Sequence, residues 1–316
     1  MSKFGWILYE SADARKNSWF IEKLQQELKP YELKLVFTDY LAQAYNMAQD
    51  HIVNSILKDM ETPSFIVNRS RNADIAYEFR NQGVRIFNPP EVTETGNDKD
   101  LSYALADRLG IRYMPYITID GSSLEPLIPI DEDRSFKDTA CFKEIASVAS
   151  DFGYPFILKP SDGHGGRHVF LISNEDELHA SVQDIMRAFR LRPYKKLLLQ
   201  RPSDVPGRDL RIYLINNEIV AGMLRTAGSE EAFRANFSLG GTASLITPTR
   251  EERFMATELA EALPSDFIGI DIIYDKGGSP VFNEIEDAVG SRMLYTYTDI
   301  DIIKQFAEHI LKTVSE

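Results

Sequence analysis

Asp271, Glu284 and Glu286 are the residues whose types and spacing most readily suggest chemistry. Residues 269–274 and 280–286 each have strand-like composition, and Asp275-Lys276-Gly277-Gly278-Ser279 lies between them. Gly-Gly flanked by apolar runs predicts a two-residue hairpin turn. With Gly277 and Gly278 at that turn, Asp271 faces Glu284, and Glu286 shares their face because side chains alternate along a strand. Directly opposed residues stand roughly 4.5–5.5 Å apart at Cβ, where like charges repel. Three carboxylates on one face call for a counter-charge, and close-set oxygen ligands suit Mg²⁺ or Mn²⁺. The alternative is a solvated acidic face whose charges diverge into water. The apolar character of the rest of the face favours the metal.

A second segment, Lys159-Pro160-Ser161-Asp162-Gly163-His164-Gly165-Gly166-Arg167, joins two predicted strands. Glycines let backbone N–H groups turn inward and form a concavity for an anion. The pattern is neither a Walker A loop nor Gly-x-Gly-x-x-Gly, so taken alone a phosphate cradle and an ordinary turn stay equally open. His164 and His168 have no cysteine partners and are assigned no metal. Lys99 falls at a predicted helix start, where the macrodipole disfavours a cation. A neighbouring anionic ligand explains that placement, and so does simple exposure to solvent. Arg225, Arg234 and Asn236 precede Gly240-Gly241, which brings cationic groups towards a second flexible turn.

These residues need elements to hold them. Residues 4–9 read as a buried strand, followed by an amphipathic helix carrying Trp19, Phe20, Ile21, Leu24 and Leu28. Strands at 33–37, 64–68 and 84–87 with a helix near 75–80 predict a small parallel α/β unit over about residues 1–90. The polar run 91–100 reads as its boundary. A helix from about Asn97 to Gly110 follows, then strands at 116–119, 156–159, 169–172 and 196–200. Residues 211–215 and 219–224 flank Asn216-Asn217 as another hairpin. Helices at 250–262 and 301–313 complete a mixed α/β chain richer in antiparallel strands towards its end.

At 316 residues the chain can build two or three packed units. A net charge of −13 argues against general binding to nucleic acid or anionic membrane, which needs clustered positive charge. The single cysteine, Cys141, excludes an intramolecular disulfide framework and fits a reducing cytoplasm. The apolar run 6–9 is too short for a signal peptide, and no stretch has the roughly 20 apolar residues of a membrane span. A soluble cytoplasmic protein is expected.

Taken in order, Asn88, Lys99, Lys159-Pro with its glycine loop, Gln200, Asp209-Leu-Arg211, Phe233-Arg234-Ala-Asn236, Gly240-Gly241, Gly269-Ile-Asp271 and Glu284-Ile-Glu286 resemble the ATP-grasp superfamily. Within it the chain is most similar to the RimK-type carboxylate–amine ligases, which include α-L-glutamate ligases, over about residues 69–303. The resemblance implies an α/β (α+β) ATP-grasp fold: a pre-ATP-grasp unit (1–92), a lid lobe (93–199) and a C-terminal lobe (200–316), with ATP between the lobes. It further implies that Lys99 and Lys159 contact phosphates, that Gly163, Gly165 and Gly166 close over them, and that the Gln200 segment holds adenine. Asp209 would approach the ribose or adenine side, and Arg234 and Asn236 the phosphates and reaction centre. Asp271, Glu284 and Glu286 would hold Mg²⁺ or Mn²⁺. Arg211 and Arg225 would orient a carboxylate or acyl phosphate, and Arg69 matches an arginine of the substrate-side domain. Three positions depart from the family pattern: Glu286 for asparagine, His168 for glycine, and Arg201-Pro202 for an acidic-aromatic hinge pair.

The implied activity is ATP-dependent ligation of a carboxylate to an amine of an amino acid or peptide, in a chain that could form homo-oligomers. The alternatives are a ligase tailoring a peptide or protein, a non-catalytic nucleotide-binding module, and a kinase without ligation. A large acceptor requires an open groove beside Arg69 and Arg71, and a small one an enclosed site.

Overall fold

The computed structural model describes residues 3–29, 31–39, 61–120, 136–164, 168–188, 196–227 and 241–315. Its first sheet contains β1 (Phe4–Tyr9), β2 (Glu32–Phe37), β3 (Phe65–Asn68) and β4 (Arg85–Phe87), parallel and ordered β2-β1-β3-β4. β1 is buried throughout because it separates two cores. Ile7 and Tyr9 meet Phe20 and Leu24 on one face, while Phe4, Trp6 and Leu8 meet Ile75, Ala76 and Phe79 on the other. This is the burial pattern of a parallel strand covered on both faces.

The polar run after β4 proves to be structured. Residues Pro90–Gly96 and Lys99–Arg108 are helical, and Val92 and Thr93 are buried. Pro90 starts the first helix, where its missing N–H costs no internal bond. Asp98 caps the second by accepting from the Asp100 N–H at 3.1 Å. Polar residues here serve as caps, which composition alone makes look like a linker.

A second, antiparallel sheet contains β5 (Tyr116–Asp120), β6 (Phe156–Pro160), β7 (Phe170–Ile172) and β8 (Lys196–Gln200), ordered β5-β8-β6-β7. The helices Ala140–Phe152 and Glu175–Ala188 cover one face through Phe142, Ile145, Leu178 and Val182. The third sheet is also antiparallel: β9 (Arg208–Ile215), β10 (Glu218–Thr226), β11 (Thr242–Ile246), β12 (Phe267–Tyr274) and β13 (Pro280–Glu286), in the order β11-β10-β9-β12-β13. Asn216 and Asn217 both have positive φ (50° and 64°), which suits the two-residue turn joining β9 to β10. The helix Arg250–Ala262 opens with a reciprocal capping box between Thr249 and Glu252 and packs Met255, Ala256 and Leu259 into the core of this sheet. Tyr103, Leu105 and Ala106 enter that same core.

The last helix, Ile302–Thr313, unites the first and third sheets. Its Ile303, Phe306 and Ile310 share one core with Phe20, Leu24, Tyr213 and Phe267. Asn88 bolts the same junction: its Nδ2 donates to Phe267 O (2.9 Å) and Asp287 Oδ1 (2.8 Å), and its Oδ1 accepts from Asp266 N and Phe267 N at 2.8 Å each. Among the described residues no helix is long and apolar enough to cross a membrane.

Truncating Asn88 leaves buried donors and acceptors unpaired, so Asn88→Ala is expected to lower folding stability by about 3 kcal/mol. Urea unfolding checks this, and a change below about 1 kcal/mol would show that the junction is held by apolar packing alone.

Candidate active site

The hairpin of β12 and β13 brings Asp271 opposite Glu284, but not through the turn its glycines suggest. Tyr274 pairs with Pro280, Asp275 N donates to Ser279 O at 3.0 Å, and the β-turn 275–278 closes with Gly278 N on Asp275 O at 2.9 Å. Asp275 Oδ1 holds this wider turn by accepting from the N–H groups of Gly277 and Ser279, both at 2.9 Å, and Gly278 takes the positive φ of 76°. The register near the turn is therefore one residue out from a Gly277-Gly278 turn. A bulge at Asn283 restores it, because Ile272 pairs with Phe282 while Asp271 pairs with Glu284. Bulge and wider turn offset each other.

One carboxylate oxygen from each of Asp271, Glu284 and Glu286 lies within 4.8 Å of the others. Cationic side chains surround them. Arg211 donates Nε to Asp271 Oδ1 (2.7 Å) and Nη2 to Oδ2 (2.6 Å), and the same Nη2 is 3.1 Å from Glu286. Arg225 donates Nη2 to Asp271 Oδ2 at 2.7 Å and Nε to Asp209. Lys99 Nζ lies 3.5 Å from Glu284 and also donates to Gly163 O. Burial alone would raise the Asp271 carboxyl, which is 1 % exposed, yet Arg211 and Arg225 outweigh it and hold the group well below the usual range. Burial, with repulsion from Asp271, pushes Asp209 up against the pull of Arg225.

The donor set is entirely carboxylate oxygen, which fits a hard divalent cation. Glu284 and Glu286 are half-buried and line the cavity, so they can offer oxygens to Mg²⁺ directly. Asp271 also lines it, but both its oxygens already accept from guanidinium groups, so a metal must share or displace those bonds. A bound divalent cation here would supply positive charge for a polyphosphate.

The cavity above the ribbon measures about 660 Å³ and takes its walls from all three sheets, including Tyr9 and Arg69, Lys159 and Gln200, and Arg211 and Glu286. Lys159 is 5 % exposed, and burial pulls its ammonium down to about 8, with Glu284 opposing the shift. Its Nζ donates to Tyr103 Oη at 3.3 Å, and Gln200 Nε2 donates to the same oxygen at 2.8 Å. Tyr103 thus fixes two expected nucleotide contacts. The sequence reading missed it, although it lies four residues after Lys99 and so on the same helix face.

Lys99, Lys159, Gly163, Gln200, Asp209, Arg211, Arg225, Asp271, Glu284 and Glu286 all line this one cavity. Gly165, Gly166, Arg234 and Asn236 lie outside the described residues. The Gln200 side chain is directed to Tyr103, and Asp209 is committed to Arg225. At the altered hinge, Arg201 stacks on Phe152 with Cζ 4.3 Å from the ring centroid. It donates Nη1 to Gly153 O at 2.7 Å and Nη2 to Phe152 O, capping the helix Ala140–Phe152. Departing from the acidic residue thus fastens the second sheet to its own helix.

A family model of the RimK-like ATP-grasp domain matches residues 134–310. The chain belongs to that family. It is 30 % identical over 234 residues to a probable alpha-L-glutamate ligase of Histophilus somni (strain 2336), an alignment covering 74 % of this chain and 70 % of the relative. It is also 23 % identical over 296 residues to the uncharacterized MG011 homolog of Mycoplasma pneumoniae, covering 91 % of this chain and 85 % of that one. Further probable alpha-L-glutamate ligases align over about half of their own length. The fold is similar to that of a D-alanine–D-alanine ligase from Bacillus anthracis, with a TM-score of 0.67 at 13 % identity over 99 % of this chain and 97 % of the other. The fold is thus the ATP-grasp architecture expected from the ordered motifs.

Asp271→Asn removes the charge that two buried guanidinium groups share, and is expected to lower stability by about 3–5 kcal/mol. Because the folded-state pKa is depressed, this contribution is complete above the unfolded value of about 4 and disappears as pH falls through the folded value. Urea midpoints measured from pH about 6 down to about 2 should therefore fall less steeply for the variant than for the parent protein.

Proposed function

We propose that this chain joins a carboxylate to an amine, using ATP and releasing ADP and phosphate. The observation that carries this reading is the meeting of two buried lysines, Lys99 and Lys159, with the carboxylates of Asp271, Glu284 and Glu286 in one cavity. Cations on one side and metal-compatible acids on the other suit a polyphosphate held with its counter-ion. In this reading the division into units 1–92, 93–199 and 200–316 places the nucleotide between the last two. The apolar slot of Ile157, Leu171, Val205 and Ile273 takes the base.

Lys99 and Lys159 stabilise the charge that spreads over the transferred phosphoryl group. The substrate carboxylate attacks the γ-phosphorus, the bond to the β–γ bridging oxygen breaks, and ADP leaves. The resulting acyl phosphate is an electrophile where the carboxylate was not. The amine attacks its carbonyl carbon, loses a proton, and phosphate departs. Arg211 or Arg225 stabilises the tetrahedral oxyanion, with Arg234 and Asn236 assigned to the same centre by family resemblance. The scheme needs positioning and electrostatics rather than a side-chain nucleophile.

A small acceptor is the version the cavity wall favours. Arg69 is buried and Arg71 half-buried, and both line the one cavity described above, which suits a small acceptor. Amino acids or short peptides are the proposed substrates, in a cytoplasmic setting in keeping with the single cysteine.

Phosphate release screened with ATP, Mg²⁺ and pairs of amino acids or short peptides should find at least one amine-dependent reaction. Lys159→Ala is expected to lower its kcat/KM by roughly 100-fold or more, the scale of losing a preorganised donor to transition-state charge. Release that needs no amine and leaves a stable phosphorylated product would instead establish a kinase.

A further inference from the structure

Tyr103 is 0 % exposed, and packing fully accounts for its ring. The ring stacks on Tyr113 with centroids 5.2 Å apart, tilts against Tyr116 at 4.7 Å, and meets Phe282 edge-to-face at 5.9 Å. A phenylalanine would fill that space equally well. Burying a hydroxyl costs free energy unless it is paired, so the Tyr103 oxygen needs a separate explanation. Lys159 Nζ donates to it at 3.3 Å and Gln200 Nε2 at 2.8 Å. Among the described residues the Lys159 ammonium has no other hydrogen-bond partner, and Glu284 acts on it only through its charge. Burial pushes the Tyr103 phenol far above its usual range, so the acceptor stays neutral. A neutral oxygen can aim an ammonium without quenching its charge, whereas a carboxylate there would form an ion pair.

The surroundings give the contact its reach. Lys159 and Gln200 lie on the paired strands β6 and β8 of the second sheet and line the cavity, while Tyr103 stands behind them. Tyr103 itself packs in the core of the third sheet with Phe282 and Ile285, which flank Glu284 on β13. One side chain therefore spans from the strand that carries the carboxylates to the lysine that faces them.

We infer that Tyr103 is a positioning residue for Lys159, and that the Gln200 side chain acts through Tyr103 rather than by reading the nucleobase. This rests on the ligase reading above and deepens it. The distance between the phosphate-side lysine and the acidic ribbon is set by a neutral oxygen anchored in the core of the third sheet. Gln200, at the shorter distance, holds that oxygen in place, and Lys159 takes its aim from it. Neither Tyr103 nor Gln200 touches a reacting atom in this scheme.

The test compares the parent protein with Tyr103→Phe, Gln200→Met, Lys159→Met and the double variant Tyr103→Phe/Lys159→Met. Calorimetry follows the binding of Mg-ATP and of adenosine, and phosphate release gives kcat and KM. Tyr103→Phe should weaken Mg-ATP by roughly 10-fold or more, the scale of losing a hydrogen bond to a charged group, and adenosine by less than about twofold. Its kcat should fall by a similar factor while the KM for the amine holds, because only the aim of Lys159 is lost. Gln200→Met should show the same pattern at smaller amplitude and spare adenosine. Adding Tyr103→Phe to Lys159→Met should change Mg-ATP binding by less than about twofold, since the group it positions is already gone. Parent-like binding of Mg-ATP by Tyr103→Phe, a loss shared equally by adenosine, or additive effects in the double variant would overturn the positioning role. Adenosine weakened by Gln200→Met as strongly as Mg-ATP would overturn the assignment of Gln200. Should Tyr103→Phe fail to fold, Gln200→Met still decides, because an unchanged ratio of Mg-ATP to adenosine affinity in that variant would break the link. If Mg-ATP binding follows this pattern but no substrate pair releases phosphate, the positioning role stands and the ligase reading falls.

Discussion

Asp271 accepts hydrogen bonds from two guanidinium groups at once, and the rest of the cleft is arranged around that shared acceptor. From it an alternating series of charges runs outward, through Arg225 to Asp209 on one side and through Arg211 to Glu286 on the other. Each member lies on a strand of the third sheet, so the series cross-links β9, β10, β12 and β13 in addition to the backbone ladder. The buried members, Asp271, Arg211 and Arg225, would be costly alone at this depth. Breaking one link strands its neighbours, which is why the ribbon behaves as a single electrostatic unit.

Lys159 shows the opposite condition. It is as deeply buried as the arginines, but its direct partner is the neutral Tyr103 hydroxyl. On the third sheet, by contrast, carboxylates outnumber the guanidinium groups they pair with (Asp209, Asp271, Glu284 and Glu286 against Arg211 and Arg225), while the second sheet presents a cation that is incompletely compensated. The cavity thus has an acidic floor and a cationic ceiling.

Much of the fold can be read from the sequence because strands and helices here obey local rules. The helix Arg250–Ala262 begins at a Thr-x-x-Glu capping box, and Asn216-Asn217 supplies the two positive φ angles of its hairpin. The site was legible as a set of residues, since Lys99, Lys159, Asp271, Glu284 and Glu286 meet as their order suggests. Their interactions were not. The facing of Asp271 and Glu284 depends on a bulge at Asn283 that no local signal announces, together with a turn one residue wider than Gly-Gly implies. Arg201 reads as a disruption of the hinge, yet it binds carbonyls 48 and 49 residues away in sequence. Long-range partners of this kind become visible only when the sheets are assembled.

The helix Ile302–Thr313 and the Asn88 bolt join the first and third sheets through one continuous apolar core. The second sheet is fastened by both means: Leu198 of β8 enters the core of the third sheet with Tyr116 packed against it, and polar links add Tyr116 to Asp100 at 2.9 Å and Lys99 N to Ser161 O at 3.0 Å. Polar seams exchange partners with water at little cost, whereas a shared core does not part without exposing oily surface. Parting the second sheet from the third would therefore uncover Leu198 and Tyr116 as well as break those polar links.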